Sequence, residues 1–291
     1  MRKKGLRSIK PIDVVVFLFV TGFVLLILIP FINVVMISLT TEKEYLQTPI
    51  LLFPKQPTLQ NYKQLFESGT VLNGYKISFL ILLIGVPLDL FLTSTLAYAL
   101  SQKGFPGRKA VLVFILFTML FNGGIVPLYL VVKQLGLTNS ILSVVFTQAI
   151  STYNMILMLN YFSSLPVSLL ESARLDGAGE WKILWRIVLP LSMPIIATML
   201  LFYSVARWNE WYQAMLFIRS IDKSPLQTVL RRIIMDSMNT DLLQSGDLDA
   251  VRFSTAIKMS AVMVTMVPVM CIFPFLQKHF VKGVMIGAVK G

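Results

Sequence analysis

The segment Leu170–Pro190, LESARLDGAGEWKILWRIVLP, carries six charged residues between two stretches that are almost free of charge. The pair Asp176-Gly177 predicts a turn, because glycine permits the left-handed backbone that commonly ends a helix. We therefore expect one short helix capped by Ser164 and a second that begins near Gly179 and leads to Pro190. The pattern alone also fits an ordinary amphipathic helix at a membrane surface.

The composition around this segment is that of a membrane protein. Hydrophobic residues make up 56% of the 291 residues and charged residues only 14%, whereas about 25% of a soluble chain is charged. Since a spanning helix needs roughly 20 apolar residues, six stretches qualify. They are Ile12–Leu39, Ile77–Leu100, Ala110–Val132, Ile141–Phe162, Ile187–Ala206 and Ala256–Phe280. The predicted fold class is an all-α membrane protein with six transmembrane helices.

Several classes of chemistry are disfavoured by what the chain contains. It has one cysteine, Cys271, and one histidine, His279, so neither a disulfide framework nor a Cys/His metal site is expected. No G-x-x-x-x-G-K-[ST] phosphate loop occurs in the sequence, which argues against ATP hydrolysis by this chain. The net charge of +12 is interpreted as basic cytoplasmic segments and not as a nucleic-acid surface.

The placement of lysine and arginine predicts the orientation. With a cytoplasmic N-terminus, the shorter inner segments hold 14 basic residues and the longer outer segments hold 11, as the positive-inside rule requires. We therefore expect a basic cytoplasmic N-terminus (residues 1–11), a six-helix transmembrane domain (12–280) and a cytoplasmic C-terminal tail (281–291). The protein is predicted to be a multi-pass protein of the cell membrane with both termini cytoplasmic, and residues 163–190 then also lie in the cytoplasm.

Two outer loops are long. Residues 40–76 contain three prolines and are predicted to form an extended connection. Residues 207–255 are predicted to include an amphipathic helix after Pro225, because apolar residues recur there at helical spacing. They are Leu226, Val229, Leu230, Ile233 and Ile234. The acidic stretch that follows is either a solvated loop or a docking surface for an external partner.

The charged segment resembles the EAA loop of ABC importer permeases. In that family Glu-Ala-Ala is followed by three residues, Gly, nine residues and Ile-x-Leu-Pro. Here Glu171-Ser172-Ala173, Gly177 and Ile187-Val188-Leu189-Pro190 have the same spacing, and Ser172 in place of alanine is the one departure. We call residues 163–190 the EAA loop.

The resemblance implies a type I ABC importer fold and a transport subunit that is not itself an enzyme. It implies a complex with a second permease subunit, two ATPase subunits that bind ATP and Mg, and an extracellular or periplasmic sugar-binding protein. A short coupling helix in the EAA loop would dock on an ATPase subunit, with Glu171 as the first choice for a salt bridge to it. The residues expected to couple are Glu171, Ser172, Ala173, Asp176, Gly177, Ile187, Leu189 and Pro190. No cofactor and no metal are expected in this chain.

Further stretches resemble the carbohydrate-uptake branch similar to the maltose transporter. They are Gly123–Ser140 (GGIVPLYLVVKQLGLTNS), Asn160–Pro166 (NYFSSLP), Ala206–Met215 (ARWNEWYQAM), Ser224–Ile233 (SPLQTVLRRI) and His279–Gly291 (HFVKGVMIGAVKG). The chain looks most like permeases for complex oligosaccharides or polysaccharides. In this family the tail can reach the ATPase subunits, so Gly287, Lys290 and Gly291 are candidate contacts, with a frayed basic tail as the alternative.

A substrate path is predicted from polar and aromatic residues near or within the spans, since sugars bind through stacking and hydrogen bonds. The candidates are Asn122, Tyr153, Asn154, Trp208, Asn209 and Trp211. Two alternatives stay open here: Trp208 and Trp211 could belong to an aromatic belt at the outer interface, and Asn122 could satisfy a break in the third span.

Asp89 lies within the second predicted span. It could face a polar partner across a subunit interface, or it could couple protons in a secondary transporter.

Two rival functions stay open. One is a permease of another ABC import class, for peptides or phosphate, and the other is a secondary transporter. A membrane-embedded enzyme would need paired carboxylates or a His/Cys cluster at one depth, which the sequence lacks.

Overall fold

The computed structural model describes residues 11–48, 51, 53–243 and 255–272, and every regular element within these ranges is helical. The helices are α1 Pro11–Ser38, α2 Glu42–Gln47, α3 Gln60–Glu67, α4 Thr70–Ser101, α5 Arg108–Leu120, α6 Ile125–Gln134, α7 Ile141–Phe146, α8 Thr152–Ser163, α9 Val167–Leu175, α10 Glu180–Ile183, α11 Leu189–Leu191, α12 Met193–Trp208, α13 Tyr212–Phe217, α14 Leu226–Leu243 and α15 Thr255–Ile272. A π-helical turn, Leu184–Val188, joins α10 to α11, and a 3-10 turn, Ile221–Lys223, precedes α14.

Three of the described helices are long and apolar enough to span a membrane alone, namely α1, α4 and α15. Two further candidate spans are bent pairs: α5 with α6 at 114°, and Glu180–Leu191 with α12 at 86°. These elements correspond to five of the six predicted stretches. The remaining stretch, Ile141–Phe162, forms the short helices α7 and α8 on either side of residues 147–151. The fold is all-helical, as the composition predicts, but its spans are more broken than hydropathy alone indicates.

The break between α5 and α6 has a local cause in the sequence. Gly124 has a φ of +90°, a conformation that glycine adopts without penalty. The side-chain oxygen of Asn122 accepts a hydrogen bond from the Gly124 backbone N–H at 2.9 Å. Asn122 therefore satisfies a backbone group at a helix break, which is one of the two roles that the sequence allowed.

Two compact units divide the chain: Met1–Ser68 with Ile233–Val264, and Gly69–Arg232 with Thr265–Gly291. In the first unit, the side chain of Asn61 donates to the carbonyls of Ser38 and Thr40, each at 3.0 Å. Because the last carbonyls of a helix have no partner within it, Asn61 caps the end of α1. The loop predicted to be an extended connection instead contains α2, α3 and about the first two turns of α4.

Most of α1 is exposed among the described residues. None of its most apolar 18-residue window is buried, and Phe17, Phe19 and Phe23 are 67%, 75% and 59% exposed. Apolar side chains line every face of this helix, so no stripe marks a preferred packing side. A helix that is apolar on every face is suited to a lipid environment.

The second unit contains the main core, in which α4, α8, α9 and α12 pack together. Its buried residues include Ala97, Met155, Met158 and Met199, each with no exposed surface. The amphipathic helix predicted after Pro225 is present as α14. Leu226 and Val229 are buried on it, and the Leu226 backbone N–H donates to the Ser78 hydroxyl at 2.9 Å.

Candidate functional site

The EAA loop contains a short helix, α9, that ends at Gly177. Gly177 has a φ of +76°. The Gly177 N–H donates to the carbonyl of Arg174, and the Ala178 N–H donates to that of Ala173, both at 3.0 Å. These two bonds form a Schellman motif, which satisfies the carbonyls left open at a helix end. The predicted helix stop at Gly177 is confirmed.

The predicted start of this helix is wrong in one detail. Ser164 does not cap α9, because its hydroxyl donates back to the carbonyl of Tyr161 at 2.7 Å and it lies at the C-terminal end of α8. Pro166 precedes the first residue of α9 instead. Serine hydroxyls commonly bond a carbonyl three or four residues earlier, and the sequence does not distinguish the two uses.

The two faces of α9 differ sharply. Leu170 and Ala173 are buried in the core of the second unit. Glu171, Ser172 and Asp176 are exposed, and within the described residues the Glu171 carboxylate makes no hydrogen bond or ion pair. The helix therefore presents an unpaired negative charge on a rigidly held surface. Ala173, predicted to take part in coupling, is an anchor and not a surface contact.

Leu175, which the sequence analysis did not single out, is 89% exposed on the last turn of α9. A single exposed leucine is ordinary on a protein surface. Here it stands next to Glu171 and Asp176 on the helix that the resemblance assigns to docking. The sequence could have indicated Leu175 as a contact, because this leucine lies between charged positions on a short predicted helix.

A polar network ties the EAA loop to the end of α4. The Arg174 guanidinium donates to both Glu180 carboxylate oxygens, at 2.9 and 3.3 Å, and to the side-chain oxygen of Gln102 at 2.6 Å. The Tyr98 hydroxyl donates to Glu180 at 2.5 Å. The hydrogen bond from Arg174 holds the pKa of the Glu180 carboxyl below its ordinary value, and the Tyr98 hydroxyl acts in the same direction. These four side chains link the two helices of the EAA loop to α4.

The end of the EAA loop enters the core through the π-helical turn. Ile187 and Leu189 are half-buried against the core of the second unit, and Pro190 is exposed. The Leu189 N–H donates to the carbonyl of Leu184, five residues earlier, in the pattern of a π-helix. Pro190 has no N–H, and its ring crowds the preceding turn of an α-helix. The wider, π-helical turn is therefore suited to the residues that precede Pro190.

The six predicted substrate-path residues do not form one surface. Asn122, Tyr153 and Asn209 are exposed, whereas Asn154 is 7% exposed and lines a cavity of about 470 Å³. Trp208 is 5% exposed, with its indole N–H donating to the Thr265 carbonyl at 3.2 Å. This burial places Trp208 in the core and not in an interfacial belt.

Trp211 lies under a cation. The Arg231 guanidinium carbon stands 4.0 Å from the centre of the Trp211 ring, a cation–π arrangement. A stacking partner from within the chain therefore already occupies one face of this indole. Of the predicted path residues, Asn154 lines the cavity of about 470 Å³, and Trp208 lines a second, largely apolar cavity of about 440 Å³.

Asp89 has an internal partner. Its carboxylate accepts two hydrogen bonds from the Arg207 guanidinium, at 2.9 Å from Nε and 2.6 Å from Nη2, and the two side chains are 0% and 1% exposed. The same guanidinium donates to the carbonyls of Val144 and Val145 at 2.8 and 2.9 Å. The partner predicted across a subunit interface is thus supplied by this chain. Both carboxylate oxygens of Asp89 are therefore engaged by Arg207, and this pair joins α4 to α12.

Gly85 makes room for this ion pair. A Cβ at position 85 would stand 3.0 Å from Nε of Arg207, closer than carbon and nitrogen atoms normally pack. The glycine one turn before Asp89 therefore lets the guanidinium lie against α4.

The remaining predictions for the site concern other parts of the chain. Gly287, Lys290 and Gly291 lie outside the described residues. Across the described ranges, no group of three or more His, Cys, Asp or Glu side chains could hold a metal ion.

The fold and the EAA loop together define a class of protein: a helical membrane protein with a short, rigidly anchored helix that carries an unpaired charged face. Residues 90–286 match the family described as binding-protein-dependent transport system inner membrane component, and the chain belongs to this family.

Two Bacillus subtilis (strain 168) proteins are similar over nearly the whole chain. The protein LplC is 40% identical over 283 residues, covering 96% of this chain and 95% of that protein. The polygalacturonan/rhamnogalacturonan transport system permease protein YtcP is 38% identical over 281 residues, covering 96% and 98%.

A solved chain has the same fold. It comes from the crystal structure of a bacterial ABC transporter involved in the import of the acidic polysaccharide alginate. The TM-score is 0.83 at 29% sequence identity, with 94% of this chain and 100% of that chain covered. The type I importer fold expected from the EAA spacing is therefore confirmed.

Proposed function

We propose that this chain is the permease subunit of an ATP-driven ABC importer that takes up an oligosaccharide or a polysaccharide fragment. The observation that carries the substrate class is the likeness, over 96% of the chain, to a permease named for polygalacturonan and rhamnogalacturonan transport. The likeness to a chain of an alginate importer supports the same class. An extracellular or periplasmic binding protein delivers the sugar.

The EAA loop is the docking element for an ATPase subunit in this proposal. The unpaired Glu171 carboxylate and the exposed Leu175 supply a charged and an apolar contact on one rigid helix. The partner ATPase subunits bind and hydrolyse ATP with Mg, and this chain contributes no cofactor site. Closure of the ATPase pair displaces α9, and the polar network around Glu180 passes the displacement to α4.

The orientation follows from the same assignment. If ATPase subunits dock on the EAA loop, that loop and both termini are cytoplasmic, in agreement with the distribution of basic residues. The permease then forms the membrane path together with a second permease subunit, and exposed helix faces such as that of α1 lie against this subunit or against lipid. The terminal Gly287, Lys290 and Gly291 are proposed as additional ATPase contacts.

The rival functions are less well supported. Proton-coupled secondary transport was considered because of Asp89, but this carboxylate has a structural partner in Arg207 at 2.6 Å, and residues 90–286 match a binding-protein-dependent transport family. A peptide or phosphate importer would share the EAA spacing, but the names of the relatives point to saccharides.

A purified complex tests the proposal. The chain is expressed with its partner permease and ATPase subunits, reconstituted in liposomes, and assayed for ATP hydrolysis with binding proteins loaded from a panel of neutral and acidic oligosaccharides. We expect at least one saccharide to stimulate ATP hydrolysis and to enter the liposomes. Stimulation by a peptide or phosphate alone would refute the carbohydrate assignment.

A further inference from the structure

The break between α7 and α8 is held in place from two sides. Helix α7 ends at Phe146, so the carbonyls of its last turn lack partners within it. Arg207 on α12 donates to two of them, those of Val144 and Val145. Asp89 on α4 fixes the guanidinium through two hydrogen bonds.

A second contact holds the other side of the break. The Tyr203 hydroxyl shares a hydrogen bond of 2.6 Å with the Thr93 hydroxyl on α4. It also accepts a longer bond, of 3.4 Å, from the Ser151 backbone N–H. Polar side chains from α4 and α12 therefore hold residues 147–151 by hydrogen bonds. A continuous helix through this stretch would not need these hydrogen bonds.

This break borders the cavity of about 470 Å³ that also contacts Asn154. Its volume lies within the range of roughly 300–1,000 Å³ found for small-molecule sites. The lining side chains are polar or aromatic in large part, and they include Gln148, Ser151, Asn154, Phe202, Tyr203 and Arg207.

Two amides in this cavity have no partner. The side chains of Gln148 and Asn154 make no hydrogen bond with any residue in the described ranges, although Asn154 is 7% exposed. Gln148 is half-buried, Asn154 is buried, and both line the cavity, so their amides are free to bond a molecule that enters it. Each amide offers both a donor and an acceptor, which matches a hydroxyl group that also donates and accepts.

The charge of the cavity limits the ligand. Arg207 is the charged residue of the lining, and Asp89 neutralises it. The remaining polar groups are amides, hydroxyls and the phenol of Tyr203. The site is therefore suited to the hydroxyl-bearing part of a sugar ring and not to a carboxylate.

We propose that this cavity is a subsite for the transported saccharide, in which Gln148 and Asn154 bind sugar hydroxyls while Arg207 and Tyr203 position the broken helix that carries them. This inference rests on the proposed function and assigns part of the substrate path to this chain instead of to its partner permease alone. Asp89 acts through Arg207, so its role is positional.

The test removes the hydrogen-bonding groups while keeping the volume. The variants are Gln148→Leu, Asn154→Leu and the double variant, in the reconstituted complex. Asn160→Leu is the matched control, because Asn160 lies on α8 as Asn154 does but is exposed and does not line the cavity. The probe is the radiolabelled saccharide that the wild-type complex takes up fastest, measured both as uptake and as binding to the complex without binding protein.

Each single variant is expected to weaken saccharide binding and slow uptake by about three- to tenfold, the usual effect of one lost hydrogen bond. The double variant should lose more. Asn160→Leu should bind and take up the saccharide as the wild type does, and the variant complexes should melt at the wild-type temperature. A loss limited to acidic saccharides would contradict the hydroxyl assignment.

The experiment distinguishes a failure of the proposed function from a failure of this inference. If the wild-type complex takes up no saccharide, the proposed function is wrong and this inference falls with it. If the wild type takes up a saccharide and the double variant does so at the same rate, the inference alone is wrong. An equal loss in Asn160→Leu would also overturn it, because the effect would then belong to α8 and not to the cavity.

Discussion

The backbone conformation at position 177, and not contact with neighbouring atoms, restricts which residue can replace Gly177. A Cβ at this position would meet no atom within 4 Å, yet the φ of +76° is one that residues with a side chain rarely adopt. A substitution therefore costs conformational free energy, about 1–2 kcal/mol for most residues. The cost is smaller for asparagine than for a β-branched residue.

We expect Gly177→Val to uncouple ATP hydrolysis from uptake, because the strained residue shifts the end of α9 and with it Glu171. Gly177→Asn should retain most of the coupling. The measurement is the ratio of sugar imported to ATP hydrolysed in proteoliposomes. Equal ratios for the valine variant and the wild type would show that the helix stop is not needed for coupling.

Glu171 is the exposed, unpaired carboxylate of α9. Replacing it with lysine should weaken association with the ATPase subunits by about tenfold or more, since a like charge then meets the basic partner group that we propose. Co-purification and the salt dependence of ATPase binding measure this. Asp222 offers a matched control, because it is also an exposed carboxylate but lies in the 3-10 turn away from the EAA loop. Asp222→Lys should leave ATPase binding unchanged.

At the scale of helices, the ion pair between Asp89 and Arg207 joins α4 to α12. Removing one member leaves a buried charge unpaired, which typically costs about 3–5 kcal/mol. Arg207→Met should therefore lower the melting temperature of the purified complex strongly. The double variant Asp89→Asn with Arg207→Met should lose less than the sum of the two single variants. Additive losses would mean that the two groups do not act as a pair.

The network around Glu180 predicts that the stability of the folded protein depends on pH. Because the pKa of Glu180 is lowered in the folded protein, its contribution to stability is complete above the ordinary glutamate pKa, about 4.3. The contribution is lost as the pH falls through the lower, folded value. Glu180→Gln should therefore melt at a lower temperature than the wild type at pH 7, and the difference should shrink below about pH 4.

Glu171→Gln is the control for this prediction, since Glu171 has no partner within the described residues. Its melting temperature should follow the wild type at both pH values. A pH-independent difference for Glu180→Gln would show that the carboxylate charge does not hold the network.

The same elements show what the sequence could and could not predict. The stop at Gly177 depends on a local backbone rule and was predicted, and a break at Asn122 was one of the two roles that the sequence left open. The break at residues 147–151 contains no glycine or proline, and its stability comes from Arg207, 62 and 63 residues away along the chain. For the same reason, the partner of Asp89 could not be assigned. A hydrogen bond across 118 residues leaves no periodic pattern.

At the scale of the whole molecule, the orientation in the membrane is the main expectation that needs an experiment. Single cysteines can be introduced at Gly104, between α4 and α5, and at Lys223, before α14, in a variant without Cys271. We expect a membrane-impermeant thiol reagent to label position 223, but not position 104, from outside intact cells. The reverse pattern would place the EAA loop outside and remove the basis for ATPase docking.

Helix α4 connects the two polar clusters directly. Tyr98, in the network of the EAA loop, and Asp89, which fixes Arg207 beside the cavity, lie nine residues apart on this helix, or about 14 Å at 1.5 Å per residue. The intervening sequence contains no glycine or proline, and Pro87 lies beyond Asp89. This stretch of α4 therefore behaves as a short stiff rod. In the proposed mechanism, a displacement at one end of this stretch would reach the other end directly, so the timing of sugar release could follow the ATP cycle without a relay of separate side-chain movements.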